Sequence, residues 1–351
     1  MAKINKRIIT CSDGTWNKPG DVEEGVNLRT NVQKIFEAIC NEDGDGVKQI
    51  KYYDQGVGST GSKLRRIIDG ATGYGLDENI LDAYKFIIWN YEQGDEIYLF
   101  GFSRGAYTAR SLAGMIRKVG LVKNNDLNLI KQAYDLYRNT KIKPDDALAV
   151  SFRQRNSQPE PAAHVKFIGV WDTVGSLGIP FMVMQNKKKY QFHDTTLSSA
   201  VDFAYHALAV DEQRKNFIPT LWKQSTNADG RVVKQVLEQR WFPGVHSNIG
   251  GGYPTMGISD IALRWLINKA KNTGLAFEQA YIDDRAKIQP NIADEVYNSN
   301  KLPFSLLGNY VRPVLEGMGD GEIIDESVFQ RMALDFSPKP AYKPGNIRPG
   351  P

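Results

Sequence analysis

Residues 95–116 read DEIYLFGFSRGAYTARSLAGMI, and the succession of residue types in that stretch decides the fold. Ile97, Tyr98, Leu99 and Phe100 form a short apolar run of strand-forming residues. Ala106, Ala109, Leu112, Ala113 and Ile116 then recur at helical spacing. Between the two, Gly101, Phe102, Ser103, Arg104 and Gly105 fit G-x-S-x-G. A strand that turns sharply into a helix through this sequence holds its serine in strained backbone, with the hydroxyl presented at the carboxyl end of the strand. Glycines on either side let the neighbouring backbone pass without a Cβ clash. The spacing therefore predicts a nucleophile elbow at Ser103.

The segments before the elbow alternate strand and helix. KRIITCS (6–12) reads as a buried strand with DGTWN at its carboxyl end, the place where open α/β sheets keep their sites. Val32, Ile35, Phe36 and Ile39 share a helical face, KQIKYYD (48–54) is a second strand, and Ile80, Leu81, Tyr84, Ile87, Ile88 and Tyr91 mark a long helix. This β-α-β order predicts a doubly wound, mostly parallel sheet flanked by helices. Gly14 and Thr15 are candidate backbone N–H donors beside the elbow, and Asp13 is a loop-anchoring acid or the pivot of a tight turn. DGT also occurs in haloacid-dehalogenase-type phosphatases, but their nucleophilic aspartate stands two residues earlier, where this chain has Cys11. Gly56, Gly58 and Gly61 satisfy G-x-G-x-x-G; the basic segment 63–69 is a poor helix start for a dinucleotide site, so the preferred reading is a glycine loop at the rim.

Beyond the elbow, residues 127–138 read as a helix, Lys141–Glu160 as a polar surface loop, and VKFIGVWD (165–172) as a buried strand ending in Asp172. Residues 178–192 join an apolar stretch to Lys187, Lys188 and Lys189, a composition suited to a lid over a lipid substrate or to a buried loop with a solvated tip. Ser199–Val210 reads as a helix carrying His206, and residues 231–242 as one or two strands. His246 follows in the glycine-rich PGVHSNIGGGY, the best placed of the four histidines to reach over a sheet edge. Residues 258–271 and 277–286 are helical, and 301–351 form a Pro- and Gly-rich C-terminal arm with one helix near Ser327–Met332. A single domain over 1–351, a lid at 178–197 and an arm at 301–351 follow.

Ser103, Asp172 and His246 stand in the chain order of α/β-hydrolases, which implies acyl transfer: His246 as base, Asp172 as its orienting acid, and an oxyanion hole from the Arg104 N–H with Gly14 or Thr15. DGTWN at 13, GFSRGAYTAR at 101, VWDTVGS at 170, AYHALAVDEQR at 204 and PGVHSNIGGGY at 243 together resemble the uncharacterised α/β-hydrolase domain family that includes the phospholipase effectors of type VI secretion. The resemblance implies a Ser-Asp-His hydrolase on Ser103, Asp172 and His246, acting on lipid esters and touching a membrane surface transiently. A catalytically silent interaction module of the same fold is the alternative from another class, and a nucleotide-binding protein a third.

Composition narrows these classes. The 351 residues are 41% hydrophobic with a formal net charge of +4, too small and scattered for a nucleic-acid footprint. No apolar run approaches membrane-spanning length, and the N-terminus lacks a signal-peptide core, so residence in the cytoplasm, or export by a route that reads no cleavable signal, is expected. Cys11 and Cys40 have no redox or metal spacing and read as buried thiols. No H-E-x-x-H or paired C-x-x-C appears, so no metal or cofactor is expected; Asp13 and Asp211 are the acids that a structural cation would use.

Overall fold

The computed structural model describes residues 4–14, 20–23, 25–56, 75–123, 126–159, 164–174, 195–226, 234–301, 304–338 and 340–347. The strands are β1 (Lys6–Ser12), β2 (Val22–Glu23), β3 (Val26–Asn27), β4 (Lys48–Asp54), β5 (Glu96–Phe102), β6 (Val165–Trp171), β7 (Val201–Ala209), β8 (Val236–Phe242) and β9 (Glu322–Ile324). The helices that matter for the site are α1 (Asn31–Ala38), α2 (Leu76–Asn90), α3 (Arg104–Val119), α4 (Leu127–Arg138), α5 (Ala147–Asn156), α6 (His246–Gly250), α7 (Gly257–Lys271), α8 (Gln279–Asp283) and α9 (Glu326–Met332).

Seven of the strands make one sheet in the order β4-β1-β5-β6-β7-β8-β9, and every neighbouring pair in it is parallel. The expected doubly wound α/β architecture is therefore present, with β2 and β3 forming a separate two-stranded ribbon. Strands of such a sheet are covered on both faces, and successive side chains alternate between two cores. On one face Ile8, Ile97 and Leu99 pack with Ile80 and Ile87 of α2 and Leu112 and Ile116 of α3. On the other, Ile9, Phe100, Phe167 and Trp171 pack with Val32 and Ile35 of α1 and Leu263 and Leu266 of α7.

Three expectations change. Residues 201–209 are the strand β7, not a helix. Lying between β6 and β8, that strand is buried on both faces, and its apolar run carries no alternation that would separate it from a buried helix. Part of 141–160 is the helix α5, of which only Ala149 is buried, so it has almost no apolar stripe to announce it. The segment after residue 301 keeps its expected helix, as α9, but also adds β9 to the sheet edge, with Val314, Val328 and Ile347 packing on Leu208 and Trp241. Residues 178–194 of the expected lid, and 57–74 with most of the GVGSTG motif, lie outside the described residues. Both cysteines are free thiols, Cys11 buried and Cys40 half-buried. Among the described residues no helix is long and apolar enough to cross a membrane.

The sheet reverses its winding between β1 and β5: the chain goes from β1 outward to β4, then returns to the far side of β1 as β5. A crevice opens at such a point, beyond the carboxyl ends of the strands. Leu112, 1% exposed, seals α3 onto this part of the sheet. Leu112→Ala is expected to lower the unfolding free energy by about 2–5 kcal/mol in a urea titration.

Candidate active site

Ser103 joins β5 to α3 with φ 56° and ψ −117°, a conformation that costs an L-residue strain and is held by its surroundings. Both flanking glycines are required by close approach. A Cβ on Gly101 would overlap the Gly105 carbonyl, and one on Gly105 would overlap the Ser12 carbonyl of β1. The Ser103 N–H donates to the Trp171 carbonyl at 3.0 Å, which ties the turn to the end of β6. The G-x-S-x-G spacing is thus the sequence trace of three strand ends converging.

The next residue after Trp171 is Asp172, fully buried, with φ 38°. Its N–H donates to the Ala207 carbonyl at 2.7 Å and its Oδ1 accepts the Ala209 N–H at 3.1 Å, both from β7. His246 heads α6, reached from β8 through the turn at Pro243 and Gly244. His246 Nδ1 lies 2.6 Å from Asp172 Oδ2, and its Nε2 lies 2.9 Å from Ser103 Oγ. The ring sits between Phe102 and Phe217, with centroids 4.7 and 4.9 Å away. Three residues drawn from three strand ends are therefore in hydrogen-bond sequence.

The electrostatics favour a neutral base beside an ionised acid. Burial alone would raise the Asp172 carboxyl, but the Arg312 charge and the His246 contact overcome it and hold the group well below the usual carboxylate range. Burial pushes His246 below 6.5, opposed by its bond and charge interaction with Asp172. With Asp172 ionised, Nδ1 carries the imidazole proton and Nε2 accepts from Ser103 Oγ. The His246 N–H donates to Glu212 Oε2 at 3.1 Å, and Glu212 is in turn held by Arg214 at 2.9 Å and by Ser299.

The other residues singled out from sequence take supporting places. His206, on β7, accepts the Thr173 N–H on Nε2 at 3.0 Å and meets Gln239 Oε1 through Nδ1 at 3.3 Å. It does not touch the serine; it fixes the residue after Asp172. Asp211 accepts the Gly244 N–H at 2.6 Å and the Tyr342 hydroxyl at 2.7 Å, pinning the turn that delivers His246. Asp13 is buried beside the elbow, where it accepts from Thr30 at 2.5 Å and Tyr53 at 2.6 Å, and burial pushes it up to about 7. The Gly14 N–H points at Asp13 Oδ1, 2.6 Å away, so in this conformation it is engaged by that carboxylate. Thr15 lies outside the described residues, and Arg104 occupies the first position of α3. Among the described residues no group of three or more His, Cys, Asp or Glu could hold a metal ion.

Sequence reasoning does not reach Thr173, Glu212, Gln239 or Arg312. Thr173 and Glu212 sit inside the VWDTVGS and AYHALAVDEQR blocks, where adjacency to Asp172 and Asp211 is a usable signal. Arg312 lies in the aperiodic arm and carries none.

Residues 6–269 match the family described as T6SS, phospholipase effector Tle1-like, catalytic domain. The uncharacterised protein YEL023C of Saccharomyces cerevisiae is 33% identical over 232 residues, covering 60% of this chain and 32% of that protein. Among solved structures, an uncharacterised protein from Pseudomonas aeruginosa aligns over 82% of this chain and 49% of its own, at a TM-score of 0.47 and 16% identity. A Tle1 effector bound to the VgrG spike of the type 6 secretion system aligns over 71% of this chain and 51% of its own, at 0.35 and 21%. The chain spans about a third of the yeast relative and about half of each solved chain.

The burial of His206 has a measurable consequence for stability. Burial and the nearby Arg110 charge push it down to about 3 from 6.5, so it is neutral in the fold and takes a proton only on unfolding. Its contribution is present above 6.5 and is lost as pH falls toward 3. Between pH 7 and pH 5 the wild type should lose up to about 2 kcal/mol relative to His206→Gln in paired urea titrations. A pH-independent difference between the two would contradict the buried, neutral assignment.

Proposed function

The chain belongs to the type VI secretion Tle1-like phospholipase effector family, through its catalytic domain, and on that premise we propose that it is a serine hydrolase cleaving carboxylic esters, with lipid esters as its substrates. The observation that carries the reading is the Ser103–His246–Asp172 chain of contacts at 2.9 and 2.6 Å. His246 Nε2 takes the Ser103 proton as Oγ attacks the ester carbonyl, and Asp172 steadies the imidazolium that forms. His246 then returns the proton to the leaving alcohol. The acyl group remains on Ser103 until water, activated by the same imidazole, releases the carboxylic acid.

The tetrahedral intermediate needs N–H donors aimed at its oxyanion. Arg104, as the first residue of α3, supplies one together with the positive end of the helix dipole. The second comes from the loop after β1, either from Thr15 or from Gly14 turned away from Asp13. Each such donor is worth about 3 kcal/mol of barrier.

On phospholipid vesicles and a panel of short-chain esters, the wild type should turn over and Ser103→Ala should lose at least about 10⁴-fold in kcat. Because the base must be uncharged and burial holds His246 below 6.5, kcat/KM should rise with pH through a limb centred below 6.5 and stay level above it. A wild type inert on the whole panel, or a Ser103→Ala variant as active as the wild type, would contradict the proposal.

A further inference from the structure

The carboxylate of Asp172 is shared. Oδ1 accepts Arg312 Nη1 at 2.6 Å, and Oδ2 accepts Arg312 Nη2 at 3.0 Å together with His246 Nδ1 at 2.6 Å. We propose that Arg312, carried by the C-terminal arm, is a positioning residue of the triad: it fixes the plane of the Asp172 carboxylate toward His246 and takes up part of that carboxylate's charge. The inference rests on the reading of Ser103, His246 and Asp172 as a triad.

Several observations converge on this role. Arg312 lies beyond residue 269, where the family match ends, so the contact is supplied from outside the matched catalytic segment. Both side chains of the pair are fully buried. The guanidinium makes two further bonds, Nη1 to the Ala209 carbonyl at 2.9 Å and Nη2 to the Phe217 carbonyl at 2.6 Å. Ala209 ends β7, and Phe217 is the ring that packs edge-on against His246. One planar fork thus locks the acid, the strand end beneath it and the aromatic wall of the base. An ammonium could not satisfy that geometry, since it offers a point charge rather than paired in-plane donors.

The arm is built to hold the arginine there. Asn346 Nδ2 donates to the Arg312 and Val210 carbonyls, each at 3.0 Å, and the Tyr310 N–H donates to the Gln213 carbonyl at 2.9 Å. A latch that served the arm alone would favour an apolar side chain at this depth, because a buried ion pair rarely outperforms good packing. The cation is explained by the charge it faces.

The sign of the effect follows from the sharing of Oδ2. Near the imidazole stand Asp172 and Glu212, which favour its protonation, and Arg214, which opposes it. Arg110, Asp172 and Arg312 act on the neighbouring His206, and Arg312 acts on His246 through the Asp172 carboxylate itself. Without Arg312 the Asp172 charge is uncompensated, and the imidazolium of His246 gains stability.

The test titrates the histidines of wild type, Arg312→Gln and Arg312→Lys by imidazole NMR, alongside pH–rate profiles on a short-chain ester. The chain has only 4 histidines, and His246→Gln assigns the relevant resonance. In Arg312→Gln the His246 midpoint and the acid limb of kcat/KM should both move up by about one pH unit or more. Arg312→Lys should keep the midpoint nearer to wild type while kcat falls on the order of tenfold or more through lost orientation. A folded Arg312→Gln with an unmoved midpoint and limb overturns the proposal. Should Arg312→Gln not fold, Asp172→Asn/Arg312→Gln removes both charges together and should recover folding; a double variant as unfolded as the single assigns Arg312 to the arm alone and overturns it too. A wild type without ester turnover counts against the proposed function, whereas the NMR titration reads Arg312 without any turnover.

Discussion

A single buried charge organises this site. Asp172 stands fully enclosed at the tip of β6 and yet is held ionised, because every direction around its two oxygens ends in a donor: the Ala209 N–H, the His246 imidazole and both arms of the Arg312 guanidinium. An isolated carboxylate at that depth would take a proton and lose its use to the base. The strand order brings β7 beside β6 to supply the Ala209 N–H, the turn after β8 brings the imidazole, and the arm brings the cation. Remove the cation and the Asp172 charge is buried without its counter-charge; remove either of the others and one of its oxygens loses a donor.

The strain at the elbow is the counterpart of that satisfaction. Ser103 and Asp172 are two of the three non-glycine residues with positive φ among the described residues, and they are adjacent in space, one at the end of β5 and one at the end of β6. Their unfavourable backbone is sustained by ladder bonds on either side and by glycines that allow α3 to press against β1. The same crowding brings the backbone of Asp13, just past the end of β1, against Gly105 of the elbow. The meeting of Ser103, Asp172 and His246 is therefore a consequence of topology, because strand ends are where side chains from distant parts of the chain meet.

Much of this was legible in the amino-acid order. The apolar run before Ser103 and the helical spacing after it are dictated by a buried strand feeding a packed helix, so local composition carries the geometry. Asp172 and His246 were readable for the same reason, each following a strand. β7 was not: both its faces are covered, so VDFAYHALA shows no clean alternation and mimics a helical stripe. Arg312 was invisible because its partner lies 140 positions away and its own segment has no period. Long-range charge pairing leaves no mark on local spacing, whereas secondary structure does.

Activation of Ser103 as a nucleophile by its neighbours is measured most directly by treating the folded protein with a fluorophosphonate at neutral pH and locating the adduct by peptide mass spectrometry. The expected result is one adduct per chain on Ser103, absent from Ser103→Ala and strongly slowed in His246→Gln. An unlabelled wild type, or an adduct that persists at the same rate in Ser103→Ala, would contradict the account.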